Sequence, residues 1–121
     1  MSFAVETKLW VDALVRRASI GGAYSLVERV GDEKRGDVVI KTRRPNGDVS
    51  LIGRAFSPNE EIVFQFIRPE NPIMTEAEAD AYLTKRISYD ADIWIVEIAD
   101  KEGRHFLEER ILPIIENDPF R

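Results

Sequence analysis

Proton transfer, metal binding and redox chemistry depend on a few side-chain types, and this chain of 121 residues is poor in several of them. It has no cysteine and one histidine, His105. Thiolate nucleophiles, disulfides, iron–sulfur clusters and cysteine-based zinc sites are therefore excluded, together with histidine-rich metal sites. The sequence also has no calcium-loop motif, no serine nucleophile elbow and no glycine-rich phosphate-binding motif. We accordingly predict no metal site and no cofactor.

Two residues stand out as candidates for acid–base chemistry, His105 and Glu97. Glu97 lies in an apolar segment, and burial raises the pKa of a carboxyl group. The single imidazole is the natural general base, with Glu97 or Asp100 to orient it. We favour the structural alternative, in which His105 is a hydrogen-bonded structural histidine and Glu97 pairs with an arginine, because an isolated buried charge is unfavourable. The predicted partners of Glu97 are Arg16, Arg17 and Arg54.

The arginine pair Arg16 and Arg17 follows the apolar stripe of the first predicted helix. Guanidinium groups offer forked donors to a phosphate or carboxylate, so the pair is a candidate anion contact. The alternative is that both cations are solvated and interact favourably with the carboxyl end of the helix. We favour this second interpretation.

Charge is unevenly distributed along the chain. The formal net charge of −5 combines +3 over residues 1–56 with −8 over residues 57–121. A chain this acidic is a poor general binder of nucleic acid. Basic residues nevertheless cluster around one predicted hairpin, at Lys34, Arg35, Lys41, Arg43 and Arg44. Because Lys41 and Arg43 share a face with Arg54 nearby, this ribbon is a candidate nucleic-acid surface. We favour a solvent-facing role that protects a sheet edge, since no exposed aromatic accompanies the cluster.

Helical periodicity predicts two helices. Apolar residues recur at helical spacing within residues 5–20, and a glycine pair follows. The second helix begins at Thr75, which forms a capping box with Glu78, and ends near Ser88.

Alternating apolar and polar residues predict strands at 24–30, 37–43, 49–56, 61–67 and 92–99. The turn sequence PNGD at residues 45–48 predicts a tight hairpin. Segment 92–99 is apolar on both faces and should be internal to the sheet. The predicted fold is α+β with two layers: a mostly antiparallel sheet of four to five strands, and two helices packed on one face. Residues 1–121 are predicted to form a single domain.

Three blocks of sequence carry a resemblance to a known family. They are residues 9–17 (LWVDALVRR), Gly31-Asp32 with Gly36, and residues 92–98 (DIWIVEI) leading into 103–107 (GRHFL). In this order they resemble a family of small bacterial proteins, chiefly from alphaproteobacteria, catalogued as a domain of unknown function. The resemblance runs from about residue 8 to 107. It implies a small stand-alone bacterial protein and supplies no activity, cofactor or catalytic residue.

The C-terminal arm, about residues 108–121, includes the apolar run at 111–115 (ILPII). Residues 105–112 are predicted to form a short helix or an extended segment. Because an exposed apolar segment needs cover, our first hypothesis is a non-enzymatic interaction or accessory protein. Its contact surface would be this arm or a sheet edge, and its partner another protein or a second copy in a homodimer. The alternatives are nucleic-acid binding through the basic hairpin 34–44 and a small enzyme using His105 and Glu97.

The N-terminus lacks the basic and apolar regions of a signal peptide. The longest apolar runs are far shorter than the roughly 20 residues that span a bilayer. We therefore predict a cytoplasmic location and no membrane partner.

Overall fold

The chain folds into two helices and five strands, in the computed structural model that describes residues 5–56 and 62–112. In chain order the elements are α1 (Thr7–Ile20), β1 (Tyr24–Arg29), β2 (Val38–Arg43), β3 (Val49–Phe56), β4 (Ile62–Phe66), α2 (Glu76–Tyr89) and β5 (Trp94–Ala99). Their bounds lie within about two residues of the predicted segments. Neither helix of this part of the chain has the length and apolar character needed to cross a membrane.

The five strands form one mixed sheet in the order β1-β5-β2-β3-β4. Neighbouring strands are antiparallel except β2 and β5, which are parallel. The predicted α+β class and mostly antiparallel sheet are thus confirmed, and β5 is internal, as its two apolar faces indicated. Parallel strands need a long crossover connection between them. The segment that joins β2 to β5 contains β3, β4 and α2 and is long enough to serve as one.

The two helices cover opposite faces of the sheet, and this corrects the predicted placement of both on one face. Helix α1 packs on one face through three buried residues, Val11, Leu14 and Ala18. Helix α2 packs on the other face through Ala79 and Leu83. In β5, Val96 belongs to the α1 side and Ile95 to the α2 side. Because successive side chains of a strand point to opposite faces, an apolar strand of this kind needs cover on both sides, and three layers result.

The predicted hairpin joins β2 to β3. The amide of Arg44 donates to the carbonyl of Asp48 at 2.9 Å, and Gly47 has a φ of 93°, a conformation that glycine adopts readily. Thr42 and Ser50 are directly opposite in the register. The turn therefore lies where the PNGD sequence placed it.

The segment after β5 is extended, which selects one of the two predicted alternatives for residues 105–112. The amide of Phe64 in β4 donates to the carbonyl of Arg110 at 2.9 Å. The carbonyl of Phe64 in turn accepts a hydrogen bond from the amide of Leu112 at 2.8 Å. These bonds cover the free edge of β4. Residues 113–121 of the predicted arm lie outside the described residues.

Two glycines allow the loop before β2 to pass directly against Trp94. Trp94 is buried, with 3% of the residue exposed. Its indole nitrogen donates to the carbonyl of Asp32 at 2.7 Å. A Cβ atom on Gly31 or Gly36 would lie 2.7 or 2.8 Å from the Trp94 ring and would also collide with the carbonyl of Asp92. This close approach is the physical reason for the glycines in the second block of the family resemblance.

Replacing Gly36 with alanine should destabilise the protein by about 2 kcal/mol, because the added methyl group meets backbone that cannot move freely. The matched control is Gly47→Ala, where a Cβ meets no atom within 4 Å and only the positive φ is unfavourable, so we expect a smaller loss of about 1 kcal/mol. Urea unfolding followed by tryptophan fluorescence measures both. Equal losses in the two variants would contradict the close-packing explanation.

Candidate functional site

A dense cluster of charges lies on the α2 face of the sheet, around Lys41 in β2. The Lys41 Nζ atom is 2.9 Å from Glu76 Oε2, 3.2 Å from Glu28 Oε1, 3.6 Å from Glu97 Oε1 and 3.9 Å from Asp80 Oδ1. Its side chain is only 4% exposed. A single buried ammonium group therefore joins carboxylates from β1, β5 and α2.

Strand register and the position of α2 explain why these groups meet. Lys41 and Glu97 are partners in the parallel register of β2 and β5. Glu76 occupies the first turn of α2, where the helix dipole favours negative charge. Arg43, two residues along β2 and on the same face, contacts Glu76 and places its Nη2 3.0 Å from Glu97 Oε1. The cluster thus binds α2 to the sheet.

Burial and ion pairing shift the pKa values of these groups in different directions. Burial by itself would lower the pKa of Lys41, but hydrogen bonds to Glu76 and Glu28 outweigh it and raise this pKa. Hydrogen bonds from Arg43 and Lys41 lower the pKa of Glu76 to about 2. Burial raises the pKa of Glu28, and its hydrogen bond to Glu97 adds to the effect. Burial opposes ionisation of Glu97 as well, but hydrogen bonds from Arg43 and Glu28 give it a lowered pKa.

The ion-pair partners of Glu97 are Arg43 and Lys41. The predicted partners Arg16, Arg17 and Arg54 were wrong. Both Arg16 and Arg17 belong to α1, on the opposite side of the sheet. Sequence reasoning missed the correct partners because pairing of β2 with β5 depends on the crossover, which no local pattern encodes.

Arg54 forms a second polar contact far from Lys41. Its Nε donates to Asp37 Oδ1 at 2.9 Å, and its Nη2 donates to the carbonyl of Gly36 at 2.8 Å. The other Asp37 oxygen lies 2.7 Å from Arg86 Nη2 in α2. Asp37 therefore ties β3 to α2 at the start of β2. The predicted grouping of Arg54 with Lys41 and Arg43 does not form.

The two arginines of α1, Arg16 and Arg17, differ in their contacts. Arg16 is exposed and makes no hydrogen bond or ion pair with residues 5–56 or 62–112. Arg17 donates from Nε to the carbonyl of Phe106 at 3.1 Å, and its Nη1 is 3.7 Å from Glu108 Oε1. Arg17 thus holds the segment that follows β5 against α1.

Trp10 of α1 anchors the same segment. Its indole nitrogen donates to Glu109 Oε2 at 2.7 Å, and its ring stacks on Phe64 with centroids 5.4 Å apart. The spacing of apolar residues in α1 indicated burial but carried no signal for this polar contact.

His105 and Glu97 are not brought together, since His105 follows β5 on the α1 side while Glu97 faces α2. The amide of Leu107 donates to His105 Nδ1 at 3.0 Å. Burial lowers the pKa of His105 and so favours the neutral ring. Because Nδ1 accepts this amide hydrogen, the hydrogen of the neutral ring is on Nε2. Asp100 does not orient the ring either, because its carboxylate accepts hydrogen bonds from Arg104, which hold its pKa well below the usual range.

The five residues of the predicted basic hairpin do not share one surface. Lys41 and Arg43 point inward to the carboxylate cluster. Lys34 and Arg35 are exposed on the loop between β1 and β2. Arg44 lies on the opposite face, at the hairpin end of the sheet. Among the described residues, no three potential metal ligands come together as a metal-binding group.

Comparison with known proteins identifies the family of this chain. Residues 5–108 match the family described as "Protein of unknown function (DUF1491)". No curated protein matches. A crystal structure of a DUF1491 family protein from Caulobacter crescentus CB15 superposes with a TM-score of 0.82 at 38% identity, covering 89% of this chain and 99% of that one.

Two solution structures are also similar. An NMR structure of a DUF1491 family protein from Caulobacter crescentus CB15 has a TM-score of 0.80 at 36% identity, covering 92% of this chain and 99% of the other. Protein Atu0922 from A. tumefaciens has a TM-score of 0.76 at 25% identity, covering 93% and 100%. The fold described above is therefore shared with proteins from two bacteria.

Replacing Lys41 with methionine should destabilise the protein, because the four carboxylates around it would lose their central cation. Removing one partner of a buried ion pair is strongly unfavourable, but Glu76 and Asp80 are partly solvated, so we expect a loss of about 2 kcal/mol. Lys8→Met, which removes a half-exposed partner of Asp12 in α1, should change stability by less than about 0.5 kcal/mol. Urea unfolding compares the two, and similar losses would contradict the role of Lys41.

Stability should also depend on pH through Glu76. Its pKa is about 2 in the folded protein against 4.5 for the free side chain, so its ion pairs stabilise the fold fully above pH 4.5 and stop doing so as the pH falls toward 2. The free-energy difference between wild type and Glu76→Gln should therefore shrink across this window. Glu33→Gln, at an exposed loop residue without an ion pair to the described residues, is the control. An unchanged difference for Glu76→Gln would disprove the assignment.

Proposed function

Since the chain belongs to the family of proteins of unknown function DUF1491, which supplies no activity, we propose its function from its own surface. We infer a non-enzymatic interaction protein of the bacterial cytoplasm. It associates with a second copy of itself through the outer edge of β1. The observation that carries this proposal is the exposed apolar side chain of Leu26 on an open strand edge.

The two edges of the sheet differ. The β4 edge is covered by residues 110–112 through backbone hydrogen bonds. Strand β1 pairs with β5 on its inner side, and no backbone partner lies on its outer side within the described part of the chain. An edge of unpaired amides and carbonyls is a template for another strand.

Exposed apolar side chains accompany this open edge. Tyr24 is 68% exposed and Leu26 48% exposed, both on the α2 side of the sheet. Ile20 and Val30, which flank the strand, are also exposed. An apolar surface gathered beside a free edge supports a contact with another protein rather than with solvent alone.

A second copy fits this edge through symmetry. Antiparallel pairing of β1 with itself is a two-fold arrangement, and a pairing centred on Leu26 puts the two Leu26 side chains side by side. The register shift between Val27 and Arg29 distorts the end of the strand, so the pairing is confined to its first residues. The interface is consequently short, and the dimer should be weak and concentration-dependent.

The non-enzymatic part of the proposal is supported by how the candidate acid–base groups are used. Glu97 accepts hydrogen bonds within an ion-pair cluster, and His105 has one ring nitrogen occupied by a backbone amide. The nucleic-acid alternative has less support, because Lys41 and Arg43 are directed toward carboxylates.

Leu26→Lys should abolish self-association, because it places like charges opposite one another at the centre of the pairing. We expect the wild-type mass in sedimentation velocity to rise toward that of a dimer as concentration increases, and the variant to stay monomeric. Leu9→Lys, at an exposed residue of α1, should dimerise like wild type. A wild-type chain that is monomeric up to millimolar concentration, or a Leu26→Lys chain that still dimerises, would overturn the proposal.

A further inference from the structure

A pocket of about 190 Å³ opens on the α1 side of the sheet, at the hairpin end of β2 and β3. Its polar lining consists of Thr42, Arg44, Ser50 and His105. These residues come from the two strands and from the segment after β5. The pocket is separate from the charge cluster, which lies on the other face, and from the β1 edge.

Two hydroxyl groups from neighbouring strands line the pocket. Thr42 and Ser50 are directly opposite in the register, so their side chains share this face. Each residue is only 3% exposed. Neither hydroxyl makes a side-chain hydrogen bond to residues 5–56 or 62–112. Because these hydroxyls face the pocket, both can donate a hydrogen bond to a ligand group inside it.

Arg44 brings a positive charge to the same place. Its guanidinium makes no ion pair with the described residues, whereas Arg43 and Arg54 are both paired with carboxylates. It lies against Gly103, where a Cβ would be 2.7 Å from Arg44 Cζ. No carboxylate is among the residues that line the pocket. The charge is therefore left for a ligand.

His105 supplies a further donor. Its Nδ1 accepts the Leu107 amide, so in the neutral ring the hydrogen is on Nε2. Phe106, the next residue, has a φ of 61°, and Arg17 binds its carbonyl. These contacts fix the imidazole in the pocket wall.

The remainder of the lining is apolar. Ile52 and Phe66 come from the sheet, and Pro72 and Ile73 come from the loop before α2. A ligand for this pocket thus needs one charged end and an apolar body. The volume is close to that of cavities, of about 150 Å³, that accept benzene in protein cores.

We propose that this pocket binds a small organic carboxylate with an apolar body about the size of benzoate. The carboxylate binds the forked guanidinium of Arg44 and the hydroxyls of Thr42 and Ser50, and the body packs on Ile52 and Phe66. One cation matches a single negative charge, and the apolar walls disfavour a fully hydrated anion such as phosphate.

Titration of the full-length ¹⁵N-labelled protein with sodium benzoate, at constant ionic strength, tests the proposal by NMR. We expect saturable shifts of the amides of residues 42–44, 46–50 and 103–107. Benzamide, which has the same shape without the charge, and inorganic phosphate, which has the charge without the apolar body, should both bind more weakly. Absence of saturable shifts in these two segments, or tighter binding of phosphate or benzamide, would overturn the assignment.

Variants locate the binding groups. Arg44→Gln should weaken benzoate binding about tenfold or more, the effect of losing a charge-assisted hydrogen bond. Thr42→Val keeps the side-chain shape and should weaken binding by a smaller factor, which preserves the test if Arg44→Gln fails to fold. Lys85→Gln removes a charge from the exposed surface of α2 and should bind like wild type. Equal affinity in Thr42→Val and wild type, or equal loss in Lys85→Gln, would contradict the site.

Discussion

Parallel pairing of β2 with β5 at the centre of the sheet is the constraint on which the other features depend. It sets Val38 beside Trp94, Ile40 beside Val96 and Lys41 beside Glu97. Both strands are apolar on both faces, so neither face can be left to solvent. Each helix therefore takes one face, and every residue of the central pair is committed to one side or the other.

The same pairing explains the buried lysine. An ammonium group at the centre of a sheet is unfavourable unless carboxylates surround it. Glu97 is supplied by the register, and Glu76 by the capped first turn of α2. Arg43 completes the cluster from the next position on that face. Glu97, which the sequence offers as a candidate acid or base, thus belongs to a cluster that positions α2 on the sheet.

The two faces of the sheet, one covered by α1 and the other by α2, also carry different kinds of exposed surface. On the α2 side, ion pairs use nearly all of the charge near Lys41, and exposed Tyr24 and Leu26 lie beyond them at the β1 edge. On the α1 side, Arg44 makes no ion pair with the described residues and lies at the hairpin end, close to the hydroxyls of Thr42 and Ser50. The proposed protein contact and the proposed ligand site therefore use different faces of one sheet and do not compete.

Local sequence determined the elements of this protein, because helix caps, periodicity and turn residues act over a few neighbouring positions. The capping box at Thr75, the hairpin turn at Gly47 and the internal position of β5 were all predictable for that reason. Only the tertiary structure decided which face each helix covers and which cation meets Glu97. Those choices depend on the register between β2 and β5, which about fifty residues of intervening chain separate, and cooperative packing rather than any local preference sets that register.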